Sequence, residues 1–292
     1  MSMCLPLVLT AVIGISTING AGFDDPSNGG AYGTRATTGY ADVDGGKLYY
    51  EVAGEGPTVV LIHDGLLHRV AWDEQFQPFA RKYRVIRYDR RGFGLSKTPA
   101  RAYSNVEDLR ALLKHADVGA ATLVGSSSGG GLAIDFALAY RDMVDGLVLV
   151  GAVVRGFGYS EHFIERSRAN RGRDLETTIE HWASDPWTIA PGNSAARRRV
   201  HELLLANPQN LSVDKHRYMT PPNQPALGRL SEIRVPTLIV GAEADIPDVH
   251  AHAGAIQAGI AGARRVVIPG AGHLVYLERP EEFNGVVLDF LS

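Results

Sequence analysis

The sequence predicts an α/β chain with a mostly parallel central sheet, helices on both faces and a helical insertion. Three observations predict it. Apolar runs of strand length at Thr58–Ile62, Ala121–Val124, Val144–Val150 and Thr237–Val240 alternate with amphipathic helical patterns, as expected of strands buried on both faces. The alternation stops near Val153 and resumes at Pro236, leaving about 80 residues, far more than a structureless loop would occupy. Between one apolar run and the next helical stripe, Gly125, Ser126, Ser127, Ser128 and Gly129 read G-x-S-x-G, the pattern of a sharp strand-to-helix turn.

Taken in order, the chain begins with an apolar run, Leu5 to Ile15, then small residues around Asn19 to Gly22 and a polar, glycine-rich stretch to Gly39. Residues 1–22 resemble a secretory signal peptide, although no Lys or Arg precedes the run. The run is shorter than the roughly 20 apolar residues a bilayer span needs. A cleaved leader implies a periplasmic or secreted protein; a retained one, a cytoplasmic protein. Ala41–Val43, AspGlyGly and Lys47–Val52 read as a hairpin. Thr58–Ile62 and Tyr83–Tyr88 are the next strands, and Ser104 with Glu107 forms a capping box opening a helix with Val106, Leu109, Leu112 or Leu113, and Ala116 inward. The helix after the G-x-S-x-G turn carries Leu132, Ala133, Phe136, Ala137 and Tyr140 on one stripe. Arg265–Ile268 is a last strand, and Pro280 opens a final helix with Phe283, Val286, Val287, Phe290 and Leu291 inward. The organisation is therefore a core at 39–153 and 231–292 with a helical insertion at 154–230.

Composition narrows the function classes. With 45% hydrophobic and 21% charged residues the 292-residue chain is ordinary globular protein. A net charge of −3 gives no electrostatic reason to expect nucleic acid as a partner, and the run Arg197, Arg198, Arg199 reads as a solvated helix face. The single Cys4 excludes an internal disulfide or a cysteine-rich metal site. A small-molecule substrate is expected; oligomeric state is not legible.

The G-x-S-x-G pattern is weak by itself in a chain with 33 glycines, so its partners decide. A serine hydroxyl attacks an ester at neutral pH only when a base takes its proton, and that base needs an acceptor that fixes its tautomer. His273 lies in ProGlyAlaGlyHis after the last strand, and Asp245 follows ThrLeuIleValGly. Both therefore come just after strands, where reactive groups gather in open parallel sheets. Ser127 as nucleophile, His273 as base and Asp245 as acid form the expected catalytic set, with Glu243 and Asp248 as alternative acids.

LeuIleHis at 61–63, TyrAspArgArgGlyPheGlyLeuSer at 88–96 and GlyHisLeuValTyrLeuGluArgPro at 272–280, with the order Ser127, Asp245, His273, resemble the α/β-hydrolase family from about Gly39 to the C-terminus. The resemblance implies the α/β-hydrolase fold, a serine hydrolase or esterase activity without a cofactor or metal, and a cap domain at the insertion. It also implies an oxyanion hole built from the Gly65 and Ser128 N–H groups. The expected substrate is a small, fairly apolar ester or lactone. Carbon–carbon bond hydrolysis, haloperoxidase-like or aminopeptidase action on the same triad, and a low-turnover ligand receptor are the alternatives. Two positions depart from the family pattern. Asp64 stands where a glycine usually follows His63, and Asp245 lies four residues after Gly241 where three is commoner. A carboxylate aimed at the oxyanion would oppose it, so Asp64 is expected to point away, or else to contact substrate.

The expected pocket residues are Asp64, Leu66, Trp182 and Trp187, while Phe157, Tyr159 and Phe163 could equally pack the insertion on itself. His63 reads as a structural hydrogen-bonding residue and His68 as an exposed loop histidine or a pocket-entrance residue. Asp89 and Arg91 read as structural. Asp245, Asp248, His250 and His252 contain metal-ligand types, but using Asp245 there would remove the acid.

Overall fold

The computed structural model describes residues 35–169, 173–212 and 214–292; the leader expectation for residues 1–22 lies outside them. Among the described residues eight strands form one sheet: β1 (Thr37–Val43), β2 (Gly46–Ala53), β3 (Thr58–Ile62), β4 (Arg84–Tyr88), β5 (Ala121–Ser126), β6 (Val144–Val150), β7 (Thr237–Ala242) and β8 (Arg264–Ile268). Their spatial order is β1-β2-β4-β3-β5-β6-β7-β8. The first two pairings are antiparallel and all later ones parallel, so the expected sheet is the observed one.

Strand alternation feeds two cores. Val60, Ile62, Leu147 and Leu149 face one side, against α2 (Asn105–His115), α3 (Ser128–Ala139) and α8 (Pro247–Gly259). Val59, Leu61, Val148 and Val150 face the other, against α1 (Asp73–Ala80), α9 (Val275–Glu278) and α10 (Pro280–Leu291). Each side of the sheet is thus covered by apolar side chains, and full burial of one such aliphatic side chain contributes about 1.5–3 kcal/mol. Between β6 and β7 lie α4 (Glu161–Arg168), α5 (Leu175–Ser184), α6 (Ser194–Ala206) and the short α7 (Asp214–Arg217). The insertion is helical as expected, and its Ile179, Val200 and Leu204 join the second core.

The capping box forms only in half. Ser104 Oγ accepts the Glu107 N–H at 3.4 Å, but the Glu107 carboxylate goes to Tyr140 OH instead of returning to the cap. Pro280 sits in the first turn of α10 as its missing N–H allows. Among the described residues no helix is long and apolar enough to cross a membrane.

The strand order sets the site. From β3 the chain moves out to β4, then returns to the other side of β3 as β5. The loops leaving β3 and β5 therefore part in opposite directions at adjacent strand ends, opening the crevice at which open parallel sheets bind ligands.

Candidate active site

Ser127 occupies the turn between β5 and α3 with φ 52° and ψ −116°. A non-glycine residue in that region is strained and is held there by its surroundings. The Ser127 N–H donates to Val150 O at 2.8 Å, and its carbonyl accepts from Gly131 N–H at 3.0 Å. The flanking glycines are required by space. A Cβ on Gly125 would lie 2.5 Å from Gly129 O, and one on Gly129 would lie 2.5 Å from His63 O and Ile62 O.

His273 Nδ1 lies 2.8 Å from Asp245 Oδ2, and Asp245 Oδ1 accepts the Ile246 N–H at 2.7 Å. The histidine is paired with Asp245 and with neither alternative. Glu243 instead accepts from Gly270 N–H, and Asp248 accepts from both Ser160 N–H and Ser160 Oγ. Burial pulls the His273 pKa down, but the charge and hydrogen bond of Asp245 outweigh it, with a smaller push from Asp64, and the imidazole rests above its ordinary value. Gly151, at the end of β6, lies directly against the pair. It has φ 50°, and a Cβ there would sit 3.1 Å from the imidazole and 3.3 Å from Asp245 Oδ2.

Ser127, Asp245 and His273 line one cavity of about 280 Å³, together with Asp64, Gly65 and Leu66. From the insertion, the aromatic Phe163, Trp182 and Trp187 join its wall beside the polar Arg166, Thr188, Asn210 and His216. Phe157 and Tyr159 are elsewhere, with ring centroids 4.9 and 4.8 Å from that of His252. Ser128 opens α3, so its N–H belongs to the first turn, where amides have no acceptor within the helix. Gly65 and Ser128 approach closely, a Cβ on Gly65 standing 3.2 Å from Ser128 Oγ.

The Asp64 carboxylate is buried and held by three donors. Oδ1 accepts Leu66 N–H at 2.5 Å and Leu67 N–H at 2.8 Å, and Oδ2 accepts Tyr276 OH at 2.7 Å. The carboxylate is thus turned back onto its own loop and onto α9, and Leu66 N–H is spent on it. Beneath it His63 is fully buried, Nε2 accepting Arg90 N–H at 3.0 Å and Nδ1 facing Asp64 O at 2.8 Å. That pattern fits the neutral Nδ1–H tautomer and the structural role expected of it. Asp89 accepts from Arg69 and Leu95, and Arg91 pairs with Asp108.

One expectation is corrected. His68 is not exposed: it is 3% accessible, its Nδ1 is 3.1 Å from Asn210 Nδ2, and burial lowers its pKa. Asn210 comes from the insertion and covers it, a long-range contact that local loop character does not announce. The four metal-ligand types also have separate tasks. Asp245 serves His273, Asp248 serves Ser160, His250 lies 3.3 Å from Arg265 Nη2, and His252 accepts Val154 N–H at 3.0 Å.

Several residues of the site escaped the sequence reading. Arg166 from α4 binds Asp185 through Nε at 2.8 Å and Nη2 at 2.6 Å. Asp185 in turn accepts Trp187 N–H and Thr188 N–H. This strapped loop holds the histidine's own backbone, with His273 N–H donating to Trp187 O at 2.8 Å and Leu274 N–H to Thr188 O at 3.1 Å. Buried Glu278 adds Gly272 N–H and Ala190 N–H. Gly151 had a signal, a glycine directly after an apolar strand, in the same place as the other site residues; Arg166 and Asp185 had none.

The match to the alpha/beta hydrolase family extends over residues 59–286, and the chain belongs to that family. A 2-hydroxy-6-oxononadienedioate/2-hydroxy-6-oxononatrienedioate hydrolase of Paraburkholderia phymatum is 30% identical over 88% of this chain and 96% of its own. Among solved structures, Est816, described as an N-acyl homoserine lactone degrading enzyme, is 28% identical with a TM-score of 0.75, covering 86% of this chain and all, 100%, of its own. A thermophilic esterase from Thermogutta terrifontis is 26% identical with a TM-score of 0.72, over 87% of this chain and 98% of its own.

Proposed function

We propose that this hydrolase cleaves a small, fairly apolar ester or lactone through a serine acyl-enzyme. The observation that carries the reading is the meeting of a strained Ser127 and the hydrogen-bonded His273–Asp245 pair on one cavity whose wall includes the apolar Leu66, Phe163, Trp182 and Trp187. Ser127 Oγ attacks the carbonyl carbon as its proton passes to His273 Nε2, and Asp245 holds the Nδ1–H and stabilises the imidazolium. The carbonyl oxygen becomes an oxyanion facing the Gly65 and Ser128 N–H groups, each such donor being worth several kcal/mol. Collapse expels the alkoxide, which takes the proton from His273. Water then attacks the acyl carbon with His273 as base, and the acid leaves as Ser127 recovers its proton. No step requires a metal or a cofactor.

In this reading the helical segment at 154–230 acts as a cap: it supplies the aromatic wall and braces the His273 loop. The cavity of about 280 Å³ favours short acyl groups and compact lactones over long lipids. A panel of p-nitrophenyl esters from acetate to laurate, alongside γ- and δ-lactones, tests this. Turnover is expected to peak at short chains and to vanish in Ser127→Ala; a rate that survives the substitution refutes the mechanism.

The dienedioate hydrolase relative supports a second reading, carbon–carbon bond cleavage on the same three residues. Turnover of a vinylogous 1,5-diketone acid in preference to every ester of the panel would select it.

A further inference from the structure

Arg90 stands apart from the other arginines of its region. Arg69 and Arg87 share Glu51, and Arg91 pairs with Asp108. Arg90 is only 6% exposed, yet among the described residues it has no ion pair with a carboxylate. A buried guanidinium remains protonated, so leaving it without a counter-charge is costly unless its donors are used elsewhere.

Its Nη2 is used twice, at 2.5 Å from the Asp64 carbonyl oxygen and 2.9 Å from Ser128 Oγ. The Asp64 carbonyl also faces His63 Nδ1 at 2.8 Å, so two donors converge on one oxygen. That carbonyl belongs to the peptide whose N–H is Gly65. Described peptide bonds are all trans, and in a trans peptide the N–H points opposite to the C=O. Anchoring the carbonyl toward Arg90 and His63 therefore turns the Gly65 N–H away from them. Hydrogen bonds to the carbonyl also polarise the amide and make its N–H a stronger donor. The same guanidinium fixes the side chain of Ser128, whose N–H is the other proposed donor.

We propose that Arg90 is a positioning residue of the oxyanion hole, clamping the Asp64–Gly65 peptide and Ser128 with one guanidinium so that both N–H groups converge on the substrate carbonyl oxygen. The inference rests on the reading of Gly65 and Ser128 as the oxyanion donors. Arg90 touches no reacting atom; it acts through the two amides, and its cationic charge adds favourable potential behind them.

The test compares wild type with Arg90→Met, Arg90→Lys, Ser128→Ala and Ser127→Ala on p-nitrophenyl butyrate, with kcat and KM resolved and folding checked by circular dichroism. Loss of a whole oxyanion donor lowers kcat by about 10²–10³. Misalignment of two donors in Arg90→Met is expected to lower kcat by about 10–100-fold with KM within about twofold, and Arg90→Lys to restore part of it. Ser128→Ala, which removes only one anchor, is expected to cost a few-fold in kcat. If Arg90→Met does not fold, Arg90→Lys and Ser128→Ala carry the test by the same split. Unchanged kcat in folded Arg90 variants, or a loss confined to KM, overturns the proposal. Activity remaining in Ser127→Ala overturns the serine mechanism beneath it, whereas an inactive Ser127→Ala beside fully active Arg90 variants overturns the Arg90 inference alone.

Discussion

Gly151 lies against His273 so closely that a methyl group on it would stand 3.1 Å from both Nδ1 and Cε1 of the imidazole. The backbone there has φ 50°, so glycine is needed for conformation and for space at once. Gly151→Ala is expected to fold with reduced stability, because the residue sits at φ 50°, and to lose up to about 10-fold in kcat, because at 3.1 Å the proposed base must give way only slightly, whereas a full misplacement of about 1 Å costs about 10²-fold. Steady-state rates beside a urea melt check it; a wild-type kcat would show that the His273–Asp245 pair tolerates the intrusion.

The pH profile follows from the same pair. Asp245 holds the His273 pKa above the ordinary histidine value of about 6.5. As the proposed base, His273 works only when neutral, so kcat/KM is expected to rise with pH through an inflection above that value. In Asp245→Asn the favourable charge is gone and burial, which lowers the pKa, is left in control. The inflection should move to lower pH while the plateau falls by about 10⁴. An inflection that stays in place would mean that another group titrates.

Arg166 and Asp185 form a pair with side chains only 13% and 6% exposed. Arg166→Met leaves a buried carboxylate without its partner, expected to cost about 3–5 kcal/mol in urea unfolding. It should also lower kcat, because the Trp187 carbonyl that receives His273 N–H belongs to the strapped loop. The double variant Arg166→Met/Asp185→Asn, with the stranded charge removed, is expected to recover part of the stability. Additive losses would show that the two do not act together.

Tyr276 is fully buried, stacks on Trp72 with centroids 4.1 Å apart, and donates its hydroxyl to Asp64 Oδ2. Burial and the neighbouring carboxylate hold the phenol well above its ordinary pKa, so it stays a donor. Tyr276→Phe keeps the stack and removes the donor, and the expected loss is about 1–3 kcal/mol. Equilibrium unfolding measures it; no loss would mean that water replaces the hydroxyl.

What the sequence revealed and what it hid divide along physical lines. The parallel strands were legible because β3, β5, β6 and β7 are buried on both faces and so read as unbroken apolar runs. Ser127 and Asp245 could be proposed because each follows such a run, and His273 because it follows the edge strand β8, since the topology carries the C-terminal ends of parallel strands to one edge of the sheet. The burial of His68 was hidden, since Asn210, which covers it, is far away in sequence and polar itself. The Arg166–Asp185 strap was hidden for the same reason: a charged pair between one helix of an insertion and the residue that ends another looks like solvated surface until the loop it braces is seen. Asp64 looked anomalous beside His63 because its partners, Leu66 N–H, Leu67 N–H and Tyr276 OH, are backbone groups and a residue from the far end of the chain. Arg90 stood in plain view in TyrAspArgArgGly, but nothing in that string distinguishes a guanidinium paired with a carboxylate from one that holds a peptide carbonyl.

The central claim is that Ser127 is the nucleophile, and covalent trapping tests it most directly. After incubation with a fluorophosphonate ester, intact mass and peptide mapping are expected to show one phosphonyl group, on Ser127, with activity lost in step and no adduct in Ser127→Ala. Stoichiometric modification elsewhere, or full activity in an enzyme whose Ser127 is modified, would contradict the account.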